Sequence, residues 1–257
     1  MAASYANPRS IVITGGSSGL GAALARAYAA PGVRLALTGR DAGRLAAVAK
    51  DCAARGADIH MDAIDVLERE RLAAWIGACD AAAPLDLLIA NAGISAGTGG
   101  TGEDGAQARR IMAVNVDGVL NSILPVLPSM RARRRGQIAI MSSLAAFRGF
   151  PGAPAYCASK AAVRVWGEAL RGHVAGDGIA VSVICPGYVK TPMTAVNRFP
   201  MPMLMDSDRA ARLIRRGLAR NRARIAFPWP MYALVRLIAA LPPGFIDPLL
   251  RTLPEKD

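Results

Sequence analysis

Short runs of aliphatic and β-branched residues alternate with longer amphipathic stretches along most of this chain, and that alternation restricts the fold more than any other feature. Residues 10–14, 33–38, 58–61, 85–90, 137–141 and 179–184 read as strands. Between them the spacing predicts helices over 20–30, 41–55, a stretch ending at Trp75, 106–130 and 155–173, the fourth running on despite Pro125 and Pro128. Strands that alternate with helices form βαβ units with right-handed crossovers and a parallel sheet. The 257 residues suit one large α/β domain rather than two small ones. Hydrophobic residues make up 53% and aromatics only 5%, as expected of a largely aliphatic sheet buried on both faces. The expectation is a single doubly wound domain over 1–257, with helices on both faces of a mostly parallel, seven-stranded sheet.

The pattern changes after Pro186. Residues 187–206 are rich in Pro and Met and read as a loop or substrate lid, followed by a basic helix over 206–222 with Ser207 as its N-cap. Residues 224–227 read as a last strand, and 225–257 as an apolar C-terminal extension interrupted by Arg236. No internal repeat or linker separates two domains.

The first strand runs into Thr14-Gly15-Gly16-Ser17-Ser18-Gly19-Leu20-Gly21 and then into a helix. Glycines at 15, 19 and 21 permit a tight turn and the close approach of a pyrophosphate, and the helix N-terminus offers free N–H groups and a favourable dipole. Turns need glycine in any case; the position between strand and helix, at the head of a βαβ series, is what points to a dinucleotide. The same residues fit G-x-S-x-G, a nucleophile elbow with Ser17 as nucleophile and His173 as a late base. A hydrolase of that kind needs strands and an oxyanion loop before the elbow, and only about ten residues precede this one.

At the end of the second strand an acidic residue would hold the ribose hydroxyls of NAD, whereas an arginine nearby suits the 2′-phosphate of NADP. Here the chain reads Thr38-Gly39-Arg40, followed by Asp41. Arg40 also fits an ordinary surface charge, but the missing acid and the guanidinium together favour NADP(H).

Tyr156-Cys157-Ala158-Ser159-Lys160 opens a helix, where residues four apart share a face. A cation beside Tyr156 favours the phenolate and lowers its pKa towards the working range, which would make the tyrosine a general acid/base for a carbonyl–alcohol pair. A solvated Tyr and Lys on a helix is the ordinary reading of such a pair. Ser142-Ser143 closes the fifth strand at the sheet edge where ligands of these folds bind; the ordinary reading of Ser143 is a cap or turn.

Taken in order and at this spacing, these pieces resemble the short-chain dehydrogenase/reductase family from Ile11 to about Thr191. The resemblance rests on the glycine pattern at 14–21, Asn91-Ala92-Gly93 after the fourth strand, Asn115, Ser143, the Tyr156/Lys160 pair and Pro186-Gly187. It implies a Rossmann fold, a nicotinamide cofactor and a carbonyl or alcohol substrate. It further implies that Tyr156 exchanges the proton with the substrate oxygen and that Ser143 orients that oxygen. Lys160 would lower the tyrosine pKa and hold the nicotinamide ribose, and Asn115 would support a water relaying protons to Lys160. Gly15, Ser17, Ser18, Gly19, Leu20 and Gly21 would form the phosphate turn. By the same resemblance Asp65 and Val66 meet adenine, Asn91, Ala92 and Gly93 line the cleft, and Pro186, Gly187, Val189 and Thr191 face the nicotinamide. Many NADP-preferring relatives carry a basic residue where this chain has Ser18, so phosphate recognition falls largely to Arg40. Homodimers or homotetramers through the helices bearing Asn115 and Tyr156 are expected on the same ground.

The substrate side is less informative. Phe147, Phe150, Tyr188, Met193, Phe199 and the methionines at 201, 203 and 205 suit a bulky apolar ligand and equally suit ordinary lid packing. The apolar segment 227–250 suits an anionic membrane surface, a subunit interface or packing on the core. A net charge of +12, nearly all from arginine, raises the question of polyanions. No nucleic-acid module or interleaving of aromatics with the arginines accompanies it, so no nucleic acid is expected. Cys52, Cys79, Cys157 and Cys185 are scattered and read as reduced thiols, and two histidines leave little for a metal site. No apolar secretory h-region precedes the first strand and no run is expected to span a bilayer, so a cytoplasmic location is expected. The alternative to an enzyme is a non-catalytic NADP-binding regulator or scaffold, possibly at a membrane surface; the intact Asn115, Ser143, Tyr156 and Lys160 argue against it.

Overall fold

A computed structural model of the protein describes residues 5–95, 103–197 and 199–250. Its seven strands are β1 (Ser10–Thr14), β2 (Arg34–Thr38), β3 (Asp58–Asp62), β4 (Leu87–Ala90), β5 (Gly136–Met141), β6 (Ile179–Pro186) and β7 (Arg224–Phe227). They form one sheet in the order β3-β2-β1-β4-β5-β6-β7. Every neighbouring pair is parallel, so the sheet is wholly rather than mostly parallel. Strand order reverses between β1 and β4, and the carboxyl ends of those strands form the switch point at which open α/β sheets bind ligands.

The helices are α1 (Gly19–Tyr28), α2 (Ala42–Ala53), α3 (Arg69–Ala82), α4 (Gly105–Met112), α5 (Gly118–Ile123), α6 (Leu127–Ala132), α7 (Pro154–His173), α8 (Pro192–Ala195), α9 (Ser207–Ala219), α10 (Trp229–Ala240) and α11 (Pro243–Leu250). Successive strand residues point to opposite faces, and both faces are covered. Ile11, Ile13, Leu35 and Leu37 pack against α1, α2 and α9. Val12, Ala36 and Leu88 pack against α3, the α4–α6 segment and α7. This two-sided burial is why the central strands read as continuous aliphatic runs rather than alternating ones.

Several expectations need correction. α3 runs past Trp75 to Ala82, because Leu72, Trp75, Ile76 and Cys79 keep the apolar spacing of one buried face. The helix expected over 106–130 is not continuous. It passes from α4 through a π turn at Ala113–Asp117 into α5, then breaks before α6, where Pro128 occupies the first turn and needs no N–H partner. By length and composition alone 105–132 is apolar enough to cross a membrane, contrary to the expectation that no run would be. Half of its most apolar stretch is nonetheless buried inside the protein, as in the core helix of a sheet layer. The N-cap of α9 is Asp206 rather than Ser207; its carboxylate accepts from Asp208 N at 3.0 Å.

Residues 187–206 leave β6 and are pinned at their base. Val189 and Met205 form an isolated parallel bridge, Met205 N donates to Tyr188 O and Lys190 N to Met205 O. Ile225–Phe227 complete β7, so the part of the extension beyond the sheet starts at Pro228, and 251–257 lie outside the described residues. The four cysteines are buried.

Candidate active site

The phosphate turn is shaped by what its glycines lack. Gly15 and Gly19 take φ of +66° and +52°, a region that L side chains rarely adopt. A Cβ on Gly21 would lie 2.1 Å from Gly15 O and 2.6 Å from Asn91 Nδ2. Asn91 Nδ2 donates to Thr14 O at 3.0 Å and Gly15 O at 3.1 Å, while Thr14 Oγ1 accepts from Asn91 N. Asn91 thus clamps the turn after β1 to the end of β4. Ser18 is the N-cap of α1 in extended conformation and makes no side-chain bond to the first turn, so those N–H groups remain for an anion. A Cβ on Gly19 would meet Thr191 Cγ2 at 3.1 Å. Thr191 in turn caps α8 in a reciprocal arrangement with Thr194, which fixes that loop over the turn.

At the end of β2, Thr38 is buried and spends its hydroxyl on Asp62 O at 2.9 Å, leaving no acid in the ribose position. Arg40 stands beside it, 3.9 Å from Asp65 Oδ2. Asp65 Oδ1 also accepts from Leu67 N, so this carboxylate shapes its own turn as well as lining the cleft. Val66 packs on α5, where a Cβ at Gly118 would lie 2.5 Å from its Cγ2. Arg44, which the sequence reading missed, reaches the same cleft from the first turn of α2 and pairs with Asp41 at 2.7 Å.

All the site residues expected from the sequence line one cleft at the switch point except Asn115, which lies directly behind it. Tyr156 and Lys160 come from α7, with the Lys160 ammonium 5.8 Å from the Tyr156 ring centroid. Lys160 Nζ donates to Met141 O at 3.1 Å. Ser143 accepts from Ala145 N, capping the single turn at Leu144–Ala146, and also hydrogen-bonds Tyr156. Ser143 thus caps that turn while also lining the cleft beside Tyr156. Asn115 sits inside the π turn, buried. Its Oδ1 accepts from Ile94 N at 2.8 Å, and its Nδ2 donates to Ile94 O at 3.0 Å and Ser159 Oγ at 2.9 Å. A Cβ on Gly93 would come within 3.0 Å of Asn115 Oδ1 and 3.1 Å of Lys160 Nζ, so the bare glycine preserves the space between these polar groups.

The electrostatics depart from the sequence reading. Burial pushes the Tyr156 phenol up to about 12, and the Ser143 hydrogen bond opposes this without overcoming it. Lys160 is itself buried, and loss of hydration pulls it down to about 8. The i, i+4 spacing places the cation beside the ring, but its ammonium is turned to the Met141 carbonyl.

Glu103 is a further residue that spacing did not reveal. Its carboxylate accepts from Ala155 N at 2.5 Å and Tyr156 N at 3.1 Å, capping the N-terminus of α7. No local signal marks it, because its partners lie more than fifty residues away.

With this geometry in hand, comparison with known proteins defines the class. The short chain dehydrogenase family matches residues 9–200, and the chain belongs to the short-chain dehydrogenase/reductase family. It is 39% identical over 246 residues to an uncharacterised oxidoreductase of Myxococcus xanthus, covering 95% of this chain and 97% of that one. An uncharacterised oxidoreductase of Mycobacterium tuberculosis is 37% identical over 239 residues, covering 91% and 94%. In fold the chain is similar to apo LigD from a Sphingobium species, with a TM-score of 0.76, 23% identity, and coverage of 95% and 97%. The protein is thus a nucleotide-binding oxidoreductase of this family, acting on the CH–OH/C=O pair. A nicotinamide dinucleotide fits the residues present. The glycine turn admits the phosphates, α1 presents free N–H groups, and Lys160 and Tyr156 line the same cleft.

Proposed function

We propose that this chain is an NADP(H)-dependent oxidoreductase moving a hydride between the cofactor and a largely apolar carbonyl or alcohol. The observation that carries this reading is the convergence of Tyr156, Ser143 and Lys160 on the switch-point cleft that also holds the glycine turn. The nicotinamide, when bound, supplies or takes the hydride. In the reducing direction Tyr156 gives its phenolic proton to the substrate oxygen as that oxygen gains negative charge. Ser143 donates a hydrogen bond to the same oxygen and orients the carbonyl. Lys160 returns a proton towards the tyrosine, and Asn115 holds the Ile94 backbone and the π turn that shape the space beside it. In oxidation each proton moves the other way.

The neutral end of β2 supports NADP(H), with Arg40 and Arg44 both lining the cleft and placed to pair with a 2′-phosphate. Met193 on the cleft wall and the edge-to-face pair Tyr188–Phe199 support an apolar substrate. A homodimer or homotetramer belongs to the same reading, on family resemblance. Calorimetric titration with NADPH and with NADH tests the cofactor: NADPH is expected to bind the more tightly, and the reverse order overturns the role of Arg40. With a ketone that is turned over, Tyr156→Phe should lower kcat by about 10³-fold while cofactor affinity stays within a few-fold. Unchanged turnover in that variant would remove Tyr156 from the chemistry.

A further inference from the structure

Soluble surfaces seldom leave a contiguous apolar stripe uncovered, yet α10 does. Of its twelve residues only Val235 is buried. Pro230, Ala233, Leu234 and Leu237, with Leu241 just beyond, recur at the spacing of one helix face and are exposed. Trp229 is 73% exposed, Leu237 62%, and Phe245 on α11 82%. The other side of this pair of helices is fixed to the body. Met231 and Tyr232 pack on Leu144, Val183 and Cys185, Tyr232 accepts from Arg224 at 2.9 Å, and Arg148 pairs with Asp247. The apolar stripe is therefore held outward.

A groove between α9, β7 and α10 runs alongside, lined by Arg216, Arg220, Arg222 and Arg224 and, among the described residues, by no acid. Arg224 is paired with Glu168; the other three arginines have no ion pair among the described residues. An outward apolar helix with a tryptophan at its start, flanked by unpaired guanidiniums, has the chemistry of a bilayer interface bearing anionic headgroups. A second copy fits less well, since two-fold pairing of this face would bring two arginine clusters together on chains that each carry +12. We infer that α10 and α11, with Arg216, Arg220 and Arg222, dock the protein on an anionic lipid bilayer. The docked helix borders the catalytic cleft: a Cβ on Gly187 would lie 2.9 Å from Met231 Sδ and 3.0 Å from Pro228 Cδ.

The test is flotation of the full-length protein with vesicles of phosphatidylcholine alone and of an equal mixture with phosphatidylglycerol. The mixed vesicles should bind about tenfold more protein, and the excess should fall at about 0.5 M salt. Binding should blue-shift the emission of Trp229. L234Q/L237Q/F245S and R216Q/R220Q/R222Q should each lose about tenfold in vesicle binding, with melting temperature and cofactor binding kept. If the apolar triple variant melts early, W229Q and F245S singly serve the same purpose. Equal flotation with both vesicles, or variants that float like the parent, overturns the inference. So does an apolar variant that changes only the oligomeric mass, which would make the stripe a contact between copies.

Discussion

Tyr156 and Lys160 lie on one helix face, and burial disfavours the charged form of each. For Lys160 the folded value of about 8 lies below its ordinary 10.5, so the unfolded chain binds the extra proton between those values. Stability should therefore rise with pH from about 8 to 10.5, and below 8 the buried ammonium carries its full penalty. That penalty is roughly 3 kcal/mol, and the lost hydrogen bond to Met141 O offsets about 1 kcal/mol of any gain from its removal. Lys160→Met is thus expected to be inactive yet more stable than the parent by roughly 2 kcal/mol at pH 7, with the rise above pH 8 flattened. Urea unfolding at pH 7 and at several higher values checks this; a less stable variant at pH 7 would contradict it. With Lys160 as the proton source for Tyr156, the kcat of ketone reduction should also fall as pH climbs through about 8. Gly21 illustrates a residue whose role was legible from its neighbours in sequence, since a strand, a glycine turn and a helix leave little else for it to do. Gly21→Ala should lose cofactor binding more than about tenfold and cost on the order of 1–3 kcal/mol, because its Cβ meets Gly15 O head-on. The clamping role of Asn91 was hidden, because the carbonyls it holds are 76 and 77 residues away.

Elements position these residues through their ends and irregularities more than through their regular parts. The periodicity predicted α7, and Pro154 in its first turn marks where it starts. The cap that completes that start is Glu103, brought by the segment ahead of α4. Glu103→Gln should cost about 1 kcal/mol of stability and lower kcat more than it weakens the cofactor, since it holds the N–H of Tyr156 itself. Thermal melting and steady-state kinetics separate the two effects; an unchanged kcat would leave Glu103 with a capping role alone. The π turn was likewise invisible as a pattern, because one extra residue in a helix leaves the apolar spacing of 105–123 nearly intact. It is defined by the buried bonds of Asn115 to Ile94 and Ser159, which belong to other elements.

At the scale of the whole molecule, cofactor binding and folding are linked, because the cleft exists only when β1, β4, α2 and α7 are assembled. A ligand at a hundred times its Kd adds about 2.7 kcal/mol, so saturating NADPH should raise Tm by roughly 5–10 °C in a domain of this size. Arg40→Ala should lose most of that increment with NADPH and keep what NADH provides; equal loss with both would assign Arg40 a structural role. The sequence by itself determined the layered parallel architecture, the glycine turn, the Tyr156/Lys160 face and the neutral end of β2. Each of these is written in near neighbours, whose spacing follows from backbone geometry. Only the tertiary structure decided the caps, the π turn, the reach of Arg44 and the direction in which Tyr156 and Lys160 titrate. Those depend on which distant groups meet and how far water is excluded, and no local spacing encodes either.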